Sequence, residues 1–163
     1  MRTMRGHGVH SPYAFRFITS VIARPGHYYA DPEVCHLASG PGSAIGVRRL
    51  MLLFRLVCEF CPDAVWAASL HDAERRTIHL ADSRVRFLKP RPLPAGCGRV
   101  MAVADTPAAL PDGFACAIVR DLGDGGLEEL SRRVGHGMIF HDGQMAVALC
   151  RPDVEIKTYK VRF

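Results

Sequence analysis

The sequence predicts a single α/β domain, because helix-like segments come first and strand-like segments with connections follow. Before Pro62, apolar residues recur at helical spacing; after it, short apolar runs alternate with turn residues. A chain of 163 residues suits one domain and can bury a core of its own. We expect residues 1–62 to form a helical arm and a first sheet-packing helix, and residues 63–163 to form a reduced α/β sheet.

The helical part contains two main helices. Ser11 is a suitable N-cap and Pro12 suits the first helical position, so the first helix starts there. The second helix is expected to run from an N-cap at Ser43 to about Phe60, with its apolar residues on one face. A short helix is expected between them, around residues 32–37.

Short apolar runs bounded by turn residues predict the strands. We expect strands at residues 64–70, 77–81, 99–105 and 114–121, a helix at 126–134, two strands within 137–152 around a turn at 141–143, and an edge strand at 155–163. A crossover between parallel neighbours needs about a dozen residues, and residues 71–76 are too few. The first two strands therefore form an antiparallel hairpin or one of them is misassigned, and in both cases no helix connects them.

The charge composition leaves nucleic-acid binding as a weak alternative. The net charge is +5, from 21 Lys and Arg against 16 Asp and Glu. Aromatic residues do not alternate with the basic ones, as a stacking surface for bases would require, so a solvated surface is the preferred interpretation. The positive charges concentrate in three clusters: Arg48, Arg49 and Arg55; Arg84, Arg86, Lys89 and Arg91; Lys157, Lys160 and Arg162.

The apolar runs are too short for a membrane span, which needs about 18 residues or more. The longest, residues 50–57, contains Arg55. The N-terminal segment is a poor secretory signal because His, Pro and Arg interrupt it, and we expect a cytoplasmic protein without membrane contact. Reduced thiols follow from that location and are expected at all six cysteines: Cys35, Cys58, Cys61, Cys97, Cys116 and Cys150.

Both ends of the chain contain distinctive segments. HGVHSPYAFRFITSVI, at residues 7–22, precedes Tyr28-Tyr29 and the helix RRLMLLFRLVCEFCP at 48–62. Near the other end, DLGDGGLEELSRRV at 121–134 precedes MIFHDGQMAVALCRPDVEIKTYKVRF at 138–163. These segments resemble a group of bacterial class I S-adenosylmethionine-dependent methyltransferase-like proteins, over about two thirds of the chain.

The resemblance implies a Rossmann-like sheet flanked by helices, with an N-terminal helical arm and an antiparallel C-terminal strand pair. It also implies a cofactor site at the C-terminal ends of the first strands, where a glycine-rich turn lets the backbone approach the ligand. Here residues 67–76, AASLHDAERR, contain no glycine. We therefore expect this chain to be a relative of those proteins that is truncated in the middle and has lost S-adenosylmethionine binding.

The resemblance also implies candidate site residues. If a cofactor site persists, Asp82 would bind the ribose hydroxyls, and Trp66 and Ser69 would lie beside the cofactor. Aspartates at strand ends also cap turns and helices, which is the preferred interpretation. On the substrate side, the candidates are His10, Tyr13, Asp105 and Asp121.

Three other motifs are not expected to form sites. His7 and His10 are too few for a zinc site, which takes three or four ligands. Cys58 and Cys61 have C-x-x-C spacing but lie at a helix C-terminus, where thiolates are not activated, so core packing is expected. Adjacent residues His141-Asp142 would point to opposite faces of a strand, which disfavours a catalytic pair.

The preferred functional interpretation is a methyltransferase-like protein without catalysis, which binds a second copy of itself or another protein. Strand edges exposed by a shortened sheet favour pairing, as do the aromatic residues of the arm: Tyr13, Phe15, Phe17, Tyr28 and Tyr29. No cofactor is expected in this interpretation. The alternatives are an active methyltransferase, with S-adenosylmethionine as cofactor, and a weak nucleic-acid binder.

Overall fold

The computed structural model describes residues 11–24, 28–40, 45–89, 92–93 and 96–163. These residues divide into two compact units, each built from separated parts of the chain. The sheet unit contains Pro62–Ser69 and Arg86–Arg162. The helical unit contains the preceding helices, up to Cys61, together with Leu70–Val85.

The helical unit begins as the sequence predicts. The Ser11 hydroxyl accepts a hydrogen bond from the Ala14 N–H at 3.3 Å, and Pro12 occupies the first helical position. The second main helix starts after Gly46, later than expected, and the predicted cap Ser43 lies outside the described residues. The unit comprises α1 (Pro12–Phe17), a π-helical turn (Ile18–Ile22), α2 (Asp31–Ser39), α3 (Val47–Phe60) and α4 (Asp72–Ala81).

The fourth of these helices corrects a sequence prediction, because residues 77–81 were expected to form a strand. Glu74 closes a capping box at the start of α4, where its Oε2 accepts from the His71 N–H at 3.0 Å. Glu74, Thr77 and Ile78 are buried at helical spacing. The β-branched residues Thr77 and Ile78 suggested a strand, but the cap and the buried face determine a helix.

The sheet unit contains one seven-stranded mixed sheet. Its order is β2-β1-β3-β4-β6-β5-β7, with β6 antiparallel to both of its neighbours and every other pair parallel. The α/β fold, the antiparallel strand pair and the edge position of the last strand are thus confirmed. The strands are β1 (Ala64–Ala67), β2 (Arg86–Leu88), β3 (Val100–Ala104), β4 (Cys116–Val119), β5 (His136–His141), β6 (Ala146–Glu155) and β7 (Lys157–Lys160).

The connection between the first two strands is a helical crossover. β1 leads into α4, α4 leads into β2, and β1 and β2 pair in parallel. The expected hairpin, and the expected absence of a helix between these strands, are therefore wrong. The short strand β2 was not predicted, because its sequence RFL offers too little apolar periodicity.

One face of the sheet packs on α5 (Gly126–Val134), and α5 in turn contacts a 3₁₀ turn (Pro107–Ala109). Leu130 and Val134 of α5 are buried in the same cluster as the strand residues of this face. Small side chains in the strands allow the helix to approach closely. The alanines of this face are Ala102, Ala104, Ala117, Ala146 and Ala148.

The chain crosses from one side of β5 to the other between β6 and β7.

The regular pairing of β5 with β6 shifts between His136 and Gly137. Gly137 has φ of +133°, and a Cβ at this position would overlap the carbonyl oxygen of Leu149. Only glycine therefore fits at this point of the β5–β6 pair.

Within the described ranges, no helix has the length and apolar character needed to cross a membrane. All six cysteines have free thiols.

Candidate functional site

The order of the strands identifies the edge of the sheet where a ligand is expected. The chain leaves β1 to form β2 on one side, and β3 pairs with β1 on the other side. In open α/β sheets, ligands bind outside the carboxyl ends of the strands at such a switch point. The residues that follow β1, β3 and β4 are therefore the candidate site.

Three residues join these strand ends to one another. The Arg120 guanidinium, after β4, donates through Nη1 to Asp105 Oδ1 at 2.6 Å and through Nη2 to the Ser69 carbonyl oxygen at 3.2 Å. The Ser69 hydroxyl, after β1, donates to Asp105 Oδ2 at 3.5 Å. We call this group the Arg120 bridge; it spans the carboxyl ends of β1, β3 and β4.

The two charged groups of the bridge differ in exposure. The Arg120 side chain is 11% exposed, whereas the Asp105 side chain is 61% exposed. A largely buried guanidinium needs a counter-charge, and Asp105 supplies it from the solvent side. The bridge therefore places a largely buried cation of the chain itself at this edge of the sheet.

Asp121 follows the same strand but has a structural role. Its N–H donates to the Asp105 carbonyl oxygen at 2.8 Å, which continues the pairing of β3 with β4. Its Oδ1 accepts from the Gly123 N–H at 3.0 Å. This carboxylate thus caps the turn after β4, in agreement with the preferred interpretation of strand-end aspartates.

Trp66 is buried in the sheet core. Its side chain is 6% exposed and belongs to the cluster that contains Leu130 of α5. It therefore packs against the helix-covered face of the sheet. Ser69, by contrast, is exposed and belongs to the Arg120 bridge.

Asp82 was expected to bind a ribose from the end of the second strand, but the structure corrects this because Asp82 does not follow a strand. It is the C-cap of α4 in the helical unit. Arg84 binds its carboxylate with Nε and Nη2, both at 3.0 Å, and with its backbone N–H at 2.9 Å. These hydrogen bonds from Arg84 lower the pKa of Asp82. The carboxylate is thus already engaged by a neighbouring side chain.

The remaining substrate-side candidates are Tyr13 and His10. Tyr13 lies on α1 of the helical unit, stacks on Phe17 with ring centroids 6.5 Å apart, and has the Arg16 guanidinium 5.9 Å from its ring centroid. His10 lies outside the described residues. The predicted residues that the structure brings together are Ser69, Asp105 and the backbone of Asp121.

His141 and Asp142, at the end of β5, do not form a catalytic pair. Asp142 Oδ1 accepts from the N–H groups of Gln144 and Met145, both at 2.8 Å, and so closes the β5–β6 turn. His141 is buried, and its Nδ1 has no hydrogen-bond partner in the described part of the chain. Burial lowers the pKa of His141, the Lys160 charge lowers it further, and Asp142 opposes the shift.

The described residues contain no group of three or more His, Cys, Asp or Glu side chains arranged to hold a metal ion.

Comparisons with known proteins do not assign this chain to a family. No family model matches it, and neither a curated protein nor a solved structure does. The α/β fold is therefore established by the strand order itself, while the resemblance to methyltransferase-like proteins stays a prediction.

Proposed function

We propose that this chain is a methyltransferase-like protein that no longer binds S-adenosylmethionine and acts as a non-catalytic binding protein that pairs with a second copy of itself. The Arg120 bridge is the observation that carries this proposal. The bridge lies at the switch point of the sheet, where a Rossmann-like protein binds its ligand.

A nucleoside entering this crevice would have to displace the bridge. It would separate Arg120 from Asp105 and from the Ser69 carbonyl, and so remove the counter-charge of a largely buried guanidinium. The turn after β1, residues 68–71, contains no glycine, so its backbone cannot approach a ligand as a glycine turn does. Both features act against cofactor binding.

The pairing surface is assigned to the helical unit. The two edge strands, β2 and β7, have 3 and 4 residues and carry Arg86, Lys157 and Lys160, which are features that protect an edge from pairing. In the helical unit, Phe15 is 46% exposed and Tyr29 is 81% exposed. Exposed aromatic residues of this kind are enriched at protein interfaces.

An active methyltransferase remains the competing proposal, and one observation favours it. The α4 crossover and the parallel pairing of β1 with β2 give the sheet the topology that a switch-point crevice requires. In that case Asp105 would have to release Arg120 and turn toward a ligand. The two proposals differ in one measurable property, which is affinity for the cofactor.

Nucleic-acid binding has less support. Several basic side chains are bound to acidic neighbours, as Arg84 is to Asp82 and Arg151 is to Asp153, which reduces the charge offered to phosphates. The proposal places the protein in the cytoplasm, where reduced cysteines are the ordinary state and where the structure's free thiols are expected. A fluorescent oligonucleotide that binds at low salt, with affinity falling steeply as salt is added, would revive this alternative.

A thermal-unfolding experiment with S-adenosylhomocysteine tests the loss of cofactor binding. A ligand at about 100 times its dissociation constant stabilises a protein by about 2.7 kcal/mol, which raises the Tm of a chain of this size by roughly 5–10 °C. We expect no rise in Tm at millimolar ligand. A rise that depends on ligand concentration and is abolished by Asp105→Ala would instead support the active enzyme.

Light scattering after size-exclusion chromatography tests self-pairing. We expect a dimer, and we expect Tyr29→Glu to give the monomer because it places a charge at an aromatic side chain that is 81% exposed. Ser20→Glu, an equal charge at another exposed position of the helical unit, is the matched control and should leave the dimer intact. A monomeric wild type at high micromolar concentration would contradict the proposal.

A further inference from the structure

Two thiols lie at the carboxyl end of α3, in the helical unit. Cys58 belongs to the last turn of the helix and Cys61 is its C-cap. Both residues are exposed, which corrects the expectation that this C-x-x-C motif packs in the core. Neither residue takes part in the Arg120 bridge or in the proposed pairing surface.

The backbone folds Cys61 back onto the helix. Its φ of 43° and ψ of 60° place it in the left-handed region, and no other described non-glycine residue has a positive φ. The Cys61 N–H donates to the Val57 carbonyl oxygen at 2.8 Å, and its Sγ donates to the Cys58 carbonyl oxygen at 3.3 Å. The thiol of Cys61 is thus turned toward the residue that carries the other thiol.

The Cys61 thiol also acts electrostatically on Cys58. Burial is the main cause that raises the pKa of Cys58, and the charges of Cys61 and Asp82 raise it further. This effect of Cys61 agrees with the turn, which directs the Cys61 thiol toward Cys58. The sequence spacing, the folded-back turn and this coupling all indicate a paired dithiol.

We propose that Cys58 and Cys61 form a reversible intramolecular disulfide by exchange with a low-molecular-weight disulfide such as glutathione disulfide. One cysteine thiolate attacks the small disulfide, forms a mixed disulfide and releases one small thiol. The second cysteine thiolate attacks the mixed disulfide at the cysteine sulfur and releases the other small thiol. Two S–H bonds of the protein are replaced by one S–S bond, and the two protons end on the two small thiols.

A metal is a poorer occupant of this site. Structural zinc takes four ligands, whereas no third ligand joins the two thiols in a metal-holding group among the described residues. Asp82, a carboxylate whose charge acts on Cys58, is bound by Arg84. Disulfide exchange needs only two thiols, and the turn directs that of Cys61 toward Cys58.

Peptide mapping after incubation with glutathione disulfide tests the proposal. Trypsin cleavage after Arg55 and Arg75 gives the peptide 56–75, which contains Cys58 and Cys61 and no other cysteine. We expect this peptide to lose two hydrogen atoms and to carry no glutathione. Exposed Cys35, which lies on a different tryptic peptide, is the internal control and should carry a glutathione adduct.

Single-serine variants identify the two chemical steps. With Cys61→Ser, the mixed disulfide at Cys58 cannot be resolved, so a glutathione adduct should persist on the peptide; Cys58→Ser should give the same result at Cys61. A wild-type peptide that keeps glutathione adducts, or that stays fully reduced while Cys35 reacts, would overturn the proposal. Cofactor binding and self-pairing do not enter this readout, so it is independent of the proposed function.

Discussion

Arg120 and Asp105 contribute unequally to stability because one is buried and the other is not. Removing Asp105 takes a carboxylate partner from a guanidinium that is 11% exposed, whereas removing Arg120 leaves a carboxylate that is 61% exposed and can be hydrated. At the scale of single residues, the stability of the site therefore depends mainly on keeping the Arg120 guanidinium paired.

A double-mutant cycle measures this asymmetry. We expect Asp105→Ala to lower the free energy of unfolding by about 1–2 kcal/mol, and Arg120→Met by less, since methionine retains part of the packing volume. The double variant should lose less than the sum of the two, by about 1 kcal/mol. Urea unfolding gives these values, and strictly additive losses would show that the ion pair contributes nothing.

His141 predicts a specific pH dependence of stability. Burial lowers the pKa of His141 in the folded chain from the ordinary value of 6.5. As the pH falls, this histidine therefore becomes protonated in the unfolded chain first, and in the folded chain only at a lower pH. The free energy of unfolding should therefore fall as the pH falls below about 6.5. His141→Leu, compared with the wild type by urea unfolding across this range, should flatten the decrease; an equal decrease in both proteins would contradict the prediction.

Gly137→Ala should be the most destabilising single-methyl addition in the sheet unit. The new Cβ would overlap the Leu149 carbonyl oxygen, and φ of +133° is strained for alanine. We expect a loss of more than about 3 kcal/mol, well above the usual range for point substitutions. Gly143→Ala, at another positive φ but with open space around its Cβ, is the control and should lose much less.

Among the elements, α4 shows where sequence patterns suffice and where they do not. Apolar runs at 99–105 and 114–121, and the pattern GLEELSRRV at 126–134, predicted β3, β4 and α5 because their buried residues have a clear period. Residues 77–81 contain β-branched and apolar side chains that suit a strand or a buried helix face. The capping glutamate Glu74 was the signal that would have decided the assignment.

Glu74 is expected to matter more to α4 than the neighbouring Asp72. Glu74 is buried and accepts from the His71 N–H, whereas Asp72 is exposed and contributes only charge in the first turn. Glu74→Ala should lower the free energy of unfolding by about 1–2 kcal/mol, and Asp72→Ala by about 0.5 kcal/mol. Equal losses, measured by urea unfolding, would show that the capping box does not stabilise α4.

For the molecule as a whole, the site was harder to predict than the fold. The polar residues after β1, β3 and β4 could be placed at strand ends from sequence, and Ser69 and Asp105 do lie together. Arg120 was missed because a single arginine between an apolar strand and an aspartate shows no period. Its role depends on three strands meeting at one edge, which no local pattern encodes.

At the scale of the whole molecule, the strand order favours ligand binding, whereas the missing glycine disfavours it. The order of β2, β1 and β3 supplies the switch point at which a ligand could bind. We propose that the turn without glycine after β1 and the Arg120 bridge both act against the binding of a nucleoside there. Affinity for the cofactor therefore decides between a binding protein and an enzyme.

Amide NMR spectra recorded during a titration with S-adenosylhomocysteine measure this affinity at the site itself. If the bridge closes the crevice, the amide signals of Ser69, Asp105 and Arg120 will not move at millimolar ligand. Saturable shifts of these three signals, absent from exposed residues elsewhere, would show that a nucleoside enters and that the chain retains a cofactor site.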